Sequence, residues 1–203
     1  VDFLVEGKET ELDRTVIDEI GDPLVHLLRN ALDHGLESPE ERMQNGKPAR
    51  GTIALRARHE GNNVYIEVED DGAGINTQHI LEKAREKGLI SDKESEGISR
   101  EEAIEFLFRS GFSTAKNVTD VSGRGVGLDV VKNKIEALNG EIFVDSRPGQ
   151  GTRFRIKLPL TLAIIQALMV SVRGEIYAVP LSSVDETTMI RNTDIKMVQN
   201  QEV

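Results

Sequence analysis

The chain has 203 residues and not one cysteine, which excludes disulfides and thiolate metal sites. That absence fits a reducing compartment, so the expected location is cytoplasmic. Positive charge is also short: 25 Lys and Arg stand against 35 Asp and Glu, for a net charge of -10. Backbone neutralisation of duplex nucleic acid needs clustered Lys and Arg, so no nucleic-acid partner is expected. An acidic protein can still hold a nucleotide, because a few local donors suffice for its phosphates. Long hydrophobic runs are missing too. The most apolar stretch, Leu158 to Val172, is broken by Pro159, Thr161, Gln166 and Ser171, so no direct membrane insertion is expected. The N-terminal residues lack a signal-peptide pattern. The chain opens on Val1 rather than Met, which reads as a piece cut from a larger protein. There is no internal repeat.

With 38% hydrophobic and 30% charged residues, the composition suits one well-buried domain and part of another. The most informative stretch is His26-Leu27-Leu28-Arg29-Asn30-Ala31-Leu32-Asp33-His34-Gly35. As a helix, it turns Leu24, Leu27, Leu28 and Ala31 to a core. His26, Asn30 and His34, each four apart, share the other side with Asp33. By itself this is the pattern of a solvated helix face. A carboxamide oxygen such as that of Asn30 also suits a hard divalent cation carrying phosphates.

In order, the chain reads as a short strand over 1–5, a helix over 12–20 and a break at Gly21-Asp22-Pro23. There Asp22 can cap a new helix that runs to Gly35, with Pro23 in its first turn. A polar loop or short helix fills 37–50. Strands over 52–59 and 63–69 meet at Gly61-Asn62, with Val64, Ile66 and Val68 alternating towards a core. Helices follow over 75–87, 100–108 and up to Leu138, then a hairpin of 141–146 with 152–158. This order predicts an α+β fold, a two-layer α/β sandwich with helices on one face of a mixed, mainly antiparallel sheet. After Pro159 the character changes, and a short β fragment is expected from a hairpin around Arg173-Gly174-Glu175. The expected domains are 1–158 and 159–203.

Three glycine-bearing clusters carry candidate chemistry. In Asp70-Asp71-Gly72-Ala73-Gly74, a carboxylate at a strand end can accept from a buried amino group. The glycines beside it would let the backbone approach a flat ligand. An ordinary turn explains the pentapeptide equally simply. Gly123-Arg124-Gly125-Val126-Gly127 offers amides and a helix N-terminus to phosphate, or serves only as a hinge. It is neither a Rossmann nor a P-loop spacing, and no Gly-Lys-Ser/Thr is present. Gly149-Gln150-Gly151-Thr152 reads as a tight turn whose Thr152 could bond a base or a water. Phe106 and Phe108 read as core, Phe112 as an aromatic that moves with a lid, and His59 and His79 as surface residues.

Taken together and in this order, the Asn-bearing helix, Asp-x-Gly-x-Gly, a Phe box, Gly-x-Gly-x-Gly and Gly-x-Gly-Thr resemble the N, G1, F, G2 and G3 boxes of the GHKL superfamily. That superfamily includes gyrase, Hsp90, histidine kinases and MutL. His-Leu-Leu-Arg-Asn-Ala-Leu-Asp-His-Gly and Ser-Gly-Arg-Gly-Val-Gly-Leu-Asp-Val-Val resemble the kinase domain of the CheA family of chemotaxis histidine kinases, over about residues 1 to 158. Residues 168–184 resemble the opening hairpin of the CheW-like regulatory domain of that family, too short to be all of it.

The resemblance implies the Bergerat-type ATP-binding fold, ATP as substrate and Mg²⁺ as its metal. Asn30 would hold Mg²⁺ with the phosphates, with His26 beside it. Arg29, Asp33 and His34 would line the same wall. Asp70 would receive the adenine amino group, with Gly72 and Gly74 shaping the base pocket and Thr152 reading the base. Gly123, Arg124, Gly125, Val126, Gly127 and Leu128 would surround phosphates. Residues 89–122 would form a lid that contributes Ser113 and Lys116. Hydrolysing members of the superfamily carry Glu where His26 stands. The resemblance therefore implies transfer of the γ-phosphoryl group to a His on a separate domain, with His26, Asn30 and Arg124 as the catalytic residues. The rival readings are an ATPase coupled to conformational change and an anti-sigma-type serine kinase. Implied partners are a phosphoacceptor domain in trans, a CheW-type adaptor, chemoreceptors and, indirectly, response regulators. The piece is expected to be a monomer and the full-length protein a dimer.

Overall fold

Helix α1 (Arg14–Asn30) lies across one face of a sheet and carries the core with it. Its Val16, Ile20 and Leu27 fall at helical spacing and are buried. They meet Val64, Ile66 and Val68 of one strand and Phe154, Ile156 and Leu158 of its neighbour, joined by Val131 and Ile135 of a second helix. In this computed structural model the described residues are 1–112, 127–160, 167–189, 197–198 and 201–202. The chain divides into two units, Val1–Ala163 and Ile164–Val203.

In the first unit five strands lie in the order β1-β2-β3-β5-β4. They are β1 (Asp2–Glu6), β2 (Thr52–Glu60), β3 (Asn63–Asp70), β4 (Glu141–Arg147) and β5 (Gly151–Pro159). Strand β1 runs parallel to β2, and every other pairing is antiparallel. The fold is therefore the expected α+β two-layer sandwich, with a mixed and mainly antiparallel sheet. Register places Asp70 opposite Thr152, and Thr152 opposite Ser146. Strand alternation then turns all three side chains to the helical face, and all three are buried.

The remaining elements are α2 (Pro39–Gln44), α3 (Thr77–Glu86), α4 (Asp92–Ser95), α5 (Arg100–Glu105), a 3₁₀ turn at Phe106–Phe108 and α6 (Leu128–Ala137). Reciprocal capping boxes start three of them, Ser38 with Glu41, Ser91 with Glu94 and Ser99 with Glu102. Helix α6 ends before Asn139, which takes a positive φ of 55°.

One expectation gives way here. No new helix begins at Asp22: α1 starts from an Asp13 cap and runs through Pro23, which is buried. The proline forfeits one helical hydrogen bond, but core contacts on both sides of it hold the helix together. Asp22 instead accepts from Lys134 of α6 at 2.9 Å. Phe112 is 1% exposed, packed with Ile80, Ala84 and Phe106 in a second small core. The first part of the expected lid, residues 89–112, thus includes short helices and a buried aromatic pair.

In the second unit β6 (Ala167–Val172) and β7 (Glu175–Pro180) form a hairpin around Arg173 and Gly174, both at positive φ. A short pair, β8 (Met197–Val198) with β9 (Gln201–Glu202), follows. The hairpin's apolar side chains Met169, Val172, Ile176 and Tyr177 are exposed.

Candidate functional site

The last α-helical residue of α1 is Asn30, and the next turn, Ala31–Gly35, widens into a π turn closed by Leu36 N–H to the Ala31 carbonyl at 3.0 Å. That turn delivers Gly35 to the end of β3. A side chain at Gly35 would sit 3.2 Å from the Asp70 carboxylate, so the missing Cβ leaves the carboxylate room. The Gly35 carbonyl accepts from Ala73 N–H at 2.9 Å, and the Ala73 carbonyl accepts from Gly149 N–H at 2.7 Å. Three segments far apart in sequence, the end of α1, the loop after β3 and the β4–β5 turn, are stitched into one wall.

Asp70 is 5% exposed, and its Oδ1 accepts from Gly72 N–H at 2.9 Å. Burial pushes its carboxyl above the ordinary carboxylate range, against the pull of the Gly72 and Thr152 backbone amides. Gly72 must be glycine here, because a Cβ would stand 2.0 Å from the Gly35 carbonyl oxygen. Gly74 has φ +71°, and a Cβ there would meet the Arg147 carbonyl at 2.2 Å. Ser146 locks the other side: its hydroxyl accepts from Ile75 N–H at 2.8 Å and lies 3.0 Å from both the Gly151 carbonyl and Thr152 Oγ1.

Of the expected polar stripe, His26, Arg29 and Asn30 lie on α1, whereas Asp33 and His34 lie in the π turn. His26 and Asn30 are half-buried, and Arg29, Asp33 and His34 are exposed. The His26 imidazole is pulled below its ordinary pKa by burial and by Arg29, with Asp129 opposing. It is therefore a neutral ring around pH 7. Asp129 lies in the first turn of α6, whose cap is Gly127. Charge from the start of α6 thus reaches the polar face of α1, and Leu128, like Gly127, is half-buried. Ser113, Lys116, Gly123, Arg124, Gly125 and Val126 lie outside the described residues. His59 and His79 are exposed, as expected.

One cluster has no counterpart in the sequence reading. Arg42, 1% exposed, donates to Glu37 at 3.1 Å, to the Asp71 carboxylate at 2.9 Å and to the Pro48 carbonyl at 2.8 Å. Lys47 Nζ reaches Glu37 at 2.7 Å and the carbonyls of Asp71 and Gly72 at 2.9 Å and 2.7 Å. Burial opposes ionisation of Glu37, but Lys47, its own backbone amide and Arg42 hold its carboxyl below the ordinary range. A polar segment with Pro39, Gly46 and Pro48 shows no periodicity, so only its surplus of paired charges hinted at this role. Ser146 and Gly35 likewise carry no signal of their own in the sequence.

A buried carboxylate at a strand end, glycines packed against it and an Asn-bearing helix thus meet at one end of the sheet. The sequence profile of the histidine kinase-, DNA gyrase B- and HSP90-like ATPases matches residues 19–162, and the chain belongs to that family. Among individual proteins it is similar to the chemotaxis protein CheA of Bacillus subtilis (strain 168). The two are 55% identical over 203 residues, which is 100% of this chain and 30% of that protein. It is 52% identical over the same length to the sensor histidine kinase CheAY of Helicobacter pylori, covering 25% of that protein. The chain thus spans less than a third of these relatives. A histidine kinase domain from Erythrobacter litoralis EL346 aligns with 78% of this chain and 54% of its own, at 21% identity and a TM-score of 0.47.

Proposed function

We propose that this chain is the ATP-binding catalytic domain of a chemotaxis-type protein-histidine kinase. In this reading it transfers the γ-phosphoryl group of ATP to a histidine supplied by a separate domain. The observation that carries the reading is the buried Asp70 carboxylate, set between Gly35, Gly72 and Thr152 where three separate segments meet. A carboxylate so placed can accept from the exocyclic amino group of a flat base. The names of the relatives support the rest.

Each residue then has a task. Asp70 receives the adenine amino group, Gly72 and Gly74, closed against Gly35 and Arg147, shape the base pocket, and Thr152 faces the base beside Asp70. Asn30 offers a carboxamide that makes no capping hydrogen bond. Among the described residues no three His, Asp or Glu cluster for a metal. Mg²⁺ keeps most of its waters and phosphate oxygens and takes one or two protein ligands, so Asn30 with His26 beside it fits that ion. When bound, Mg²⁺ would neutralise phosphate charge. Arg29, Asp33 and His34 line the wall, and Gly127 and Leu128 bring the N-terminus of α6 to the phosphates. Ser113, Lys116, Gly123, Arg124, Gly125 and Val126 complete the phosphate site, with Arg124 supplying charge. His26 stands where hydrolysing relatives place Glu, so the carboxylate that activates water in them is missing here. The acceptor imidazole nitrogen then forms the new N–P bond as the bond to the bridging oxygen breaks and ADP leaves.

Residues 1–158 would be the catalytic domain, and 159–203 a linker with the first part of a CheW-like regulatory domain. That assignment brings a CheW-type adaptor, chemoreceptors and response regulators as partners of the whole protein, in the cytoplasm. The piece itself would be a monomer, and the full protein a dimer. Incubation with labelled ATP, Mg²⁺ and a histidine phosphotransfer domain tests the reading. Acid-labile phosphate on the acceptor is expected. Steady release of inorganic phosphate with no transfer would mean a hydrolase, and acid-stable phosphoserine a serine kinase.

A further inference from the structure

We propose that Lys47, backed by Arg42 and Glu37, is the positioning residue that aims Asp70 at the base and so sets the preference for adenine. The inference rests on the nucleotide reading above and adds a role to residues that touch no ligand in it.

The argument runs through two peptide planes. Lys47 Nζ donates to the carbonyl of Asp71 at 2.9 Å and to that of Gly72 at 2.7 Å. A trans peptide is planar, with its carbonyl and the following N–H pointing opposite ways. Holding the Asp71 carbonyl therefore aims the Gly72 N–H, which donates to Asp70 Oδ1 at 2.9 Å. Holding the Gly72 carbonyl aims the Ala73 N–H, which donates to the Gly35 carbonyl at 2.9 Å. One ammonium group thus fixes both the Gly72 hydrogen bond that, beside the Thr152 amide, orients the Asp70 carboxylate and the one that ties this loop to the end of α1. Arg42 adds a second donor to the Asp71 carbonyl at 3.2 Å, and grips the Asp71 carboxylate, which in turn accepts from Thr52 N–H at 2.9 Å. Glu37 holds both cations, at 2.7 Å from Lys47 and 3.1 Å from Arg42.

The loop needs this. Gly72 and Gly74 have no side chains to anchor them, and free glycine peptides rotate easily. A carboxylate read by one amino group depends on direction as well as distance. Loosening the two peptides lets Asp70 turn, while stacking and phosphate contacts stay as they are. The loss falls on recognition of the 6-amino group.

The test compares ATP with purine riboside triphosphate, which lacks that amino group, by calorimetry on the 203-residue chain with Mg²⁺. The native chain is expected to favour ATP about tenfold, the worth of a hydrogen bond to a charged acceptor. In Lys47→Met the preference should shrink to about twofold or less, with purine riboside triphosphate bound as before. In an Asp70→Ala background Lys47→Met should change nothing further, because the effect passes through Asp70. Glu37→Gln keeps the shape and loosens Lys47, and should lose part of the preference; it decides the matter if Lys47→Met does not fold. A native preference retained in either folded variant overturns the proposal, even if its melting temperature falls. A native chain that binds neither nucleotide would instead overturn the nucleotide reading itself.

Discussion

Asp70 is held in a state that folding alone does not favour. Burial raises its pKa, so the fold prefers it protonated. The stability it contributes is complete below its unfolded pKa and is lost as pH rises through the raised folded value. At neutral pH the charged group therefore works against the fold. Asp70→Asn should melt higher than the native chain at pH 7, with the gap closing as pH falls below the carboxylate range. The same variant should bind ATP about tenfold more weakly, since a charged acceptor is replaced by a neutral one. Thermal melts at several pH values and calorimetry check both, and equal melting curves at pH 7 would mean the carboxylate is not strained. Ser146→Ala carries the opposite expectation for stability. It strips the Ile75 N–H of its partner and should cost about 1–3 kcal/mol, read from denaturant midpoints, with weaker ATP binding.

Elements explain which parts of the site can be read from sequence. Asn30, Asp70 and Thr152 sit on a regular helix or strand, so spacing alone puts Asn30 across the helix from Leu28 and turns Asp70 to the same side as Val68. The π turn over Ala31–Gly35 is invisible to a 3.6-residue period, yet it brings Gly35 to Asp70. Arg42 and Lys47 are invisible for another reason: their partner Asp71 lies 29 and 24 residues away, across two strands. Pro23 lies inside α1 because core packing of Ile20 and Leu27 around it outweighs the local rule against interior proline. The sheet's outer face gives an element-scale prediction. Glu67 sits between Arg58 and Arg155, and Glu69 between Arg56 and Arg153. Although burial opposes it, the arginines hold both carboxyls below their ordinary range. Their contribution is present above the unfolded carboxylate pKa and is lost as pH falls through the lowered folded values. Because the arginines reach solvent, Glu67→Gln should cost only about 1 kcal/mol at pH 7 and reduce the acid sensitivity of unfolding.

At the scale of the molecule, every described site residue belongs to the Val1–Ala163 unit. A chain ending at Ala163 should therefore fold and bind ATP within about twofold of the 203-residue chain. A tenfold loss would assign part of the pocket to the tail. The two-layer fold follows from composition and pattern, because alternating strands and amphipathic helices state their buried faces openly. How the segments converge does not follow, since it depends on backbone bonds such as those of Ala73 and Gly149. The account stands on that convergence as one nucleotide pocket. Titration of ATP with Mg²⁺, followed by amide NMR, tests it most directly. It predicts saturable shifts at Gly35, Asp70 to Gly74 and Thr152, with the β6–β7 hairpin unmoved. Unchanged amides at those positions, with metal and millimolar nucleotide present, would contradict it.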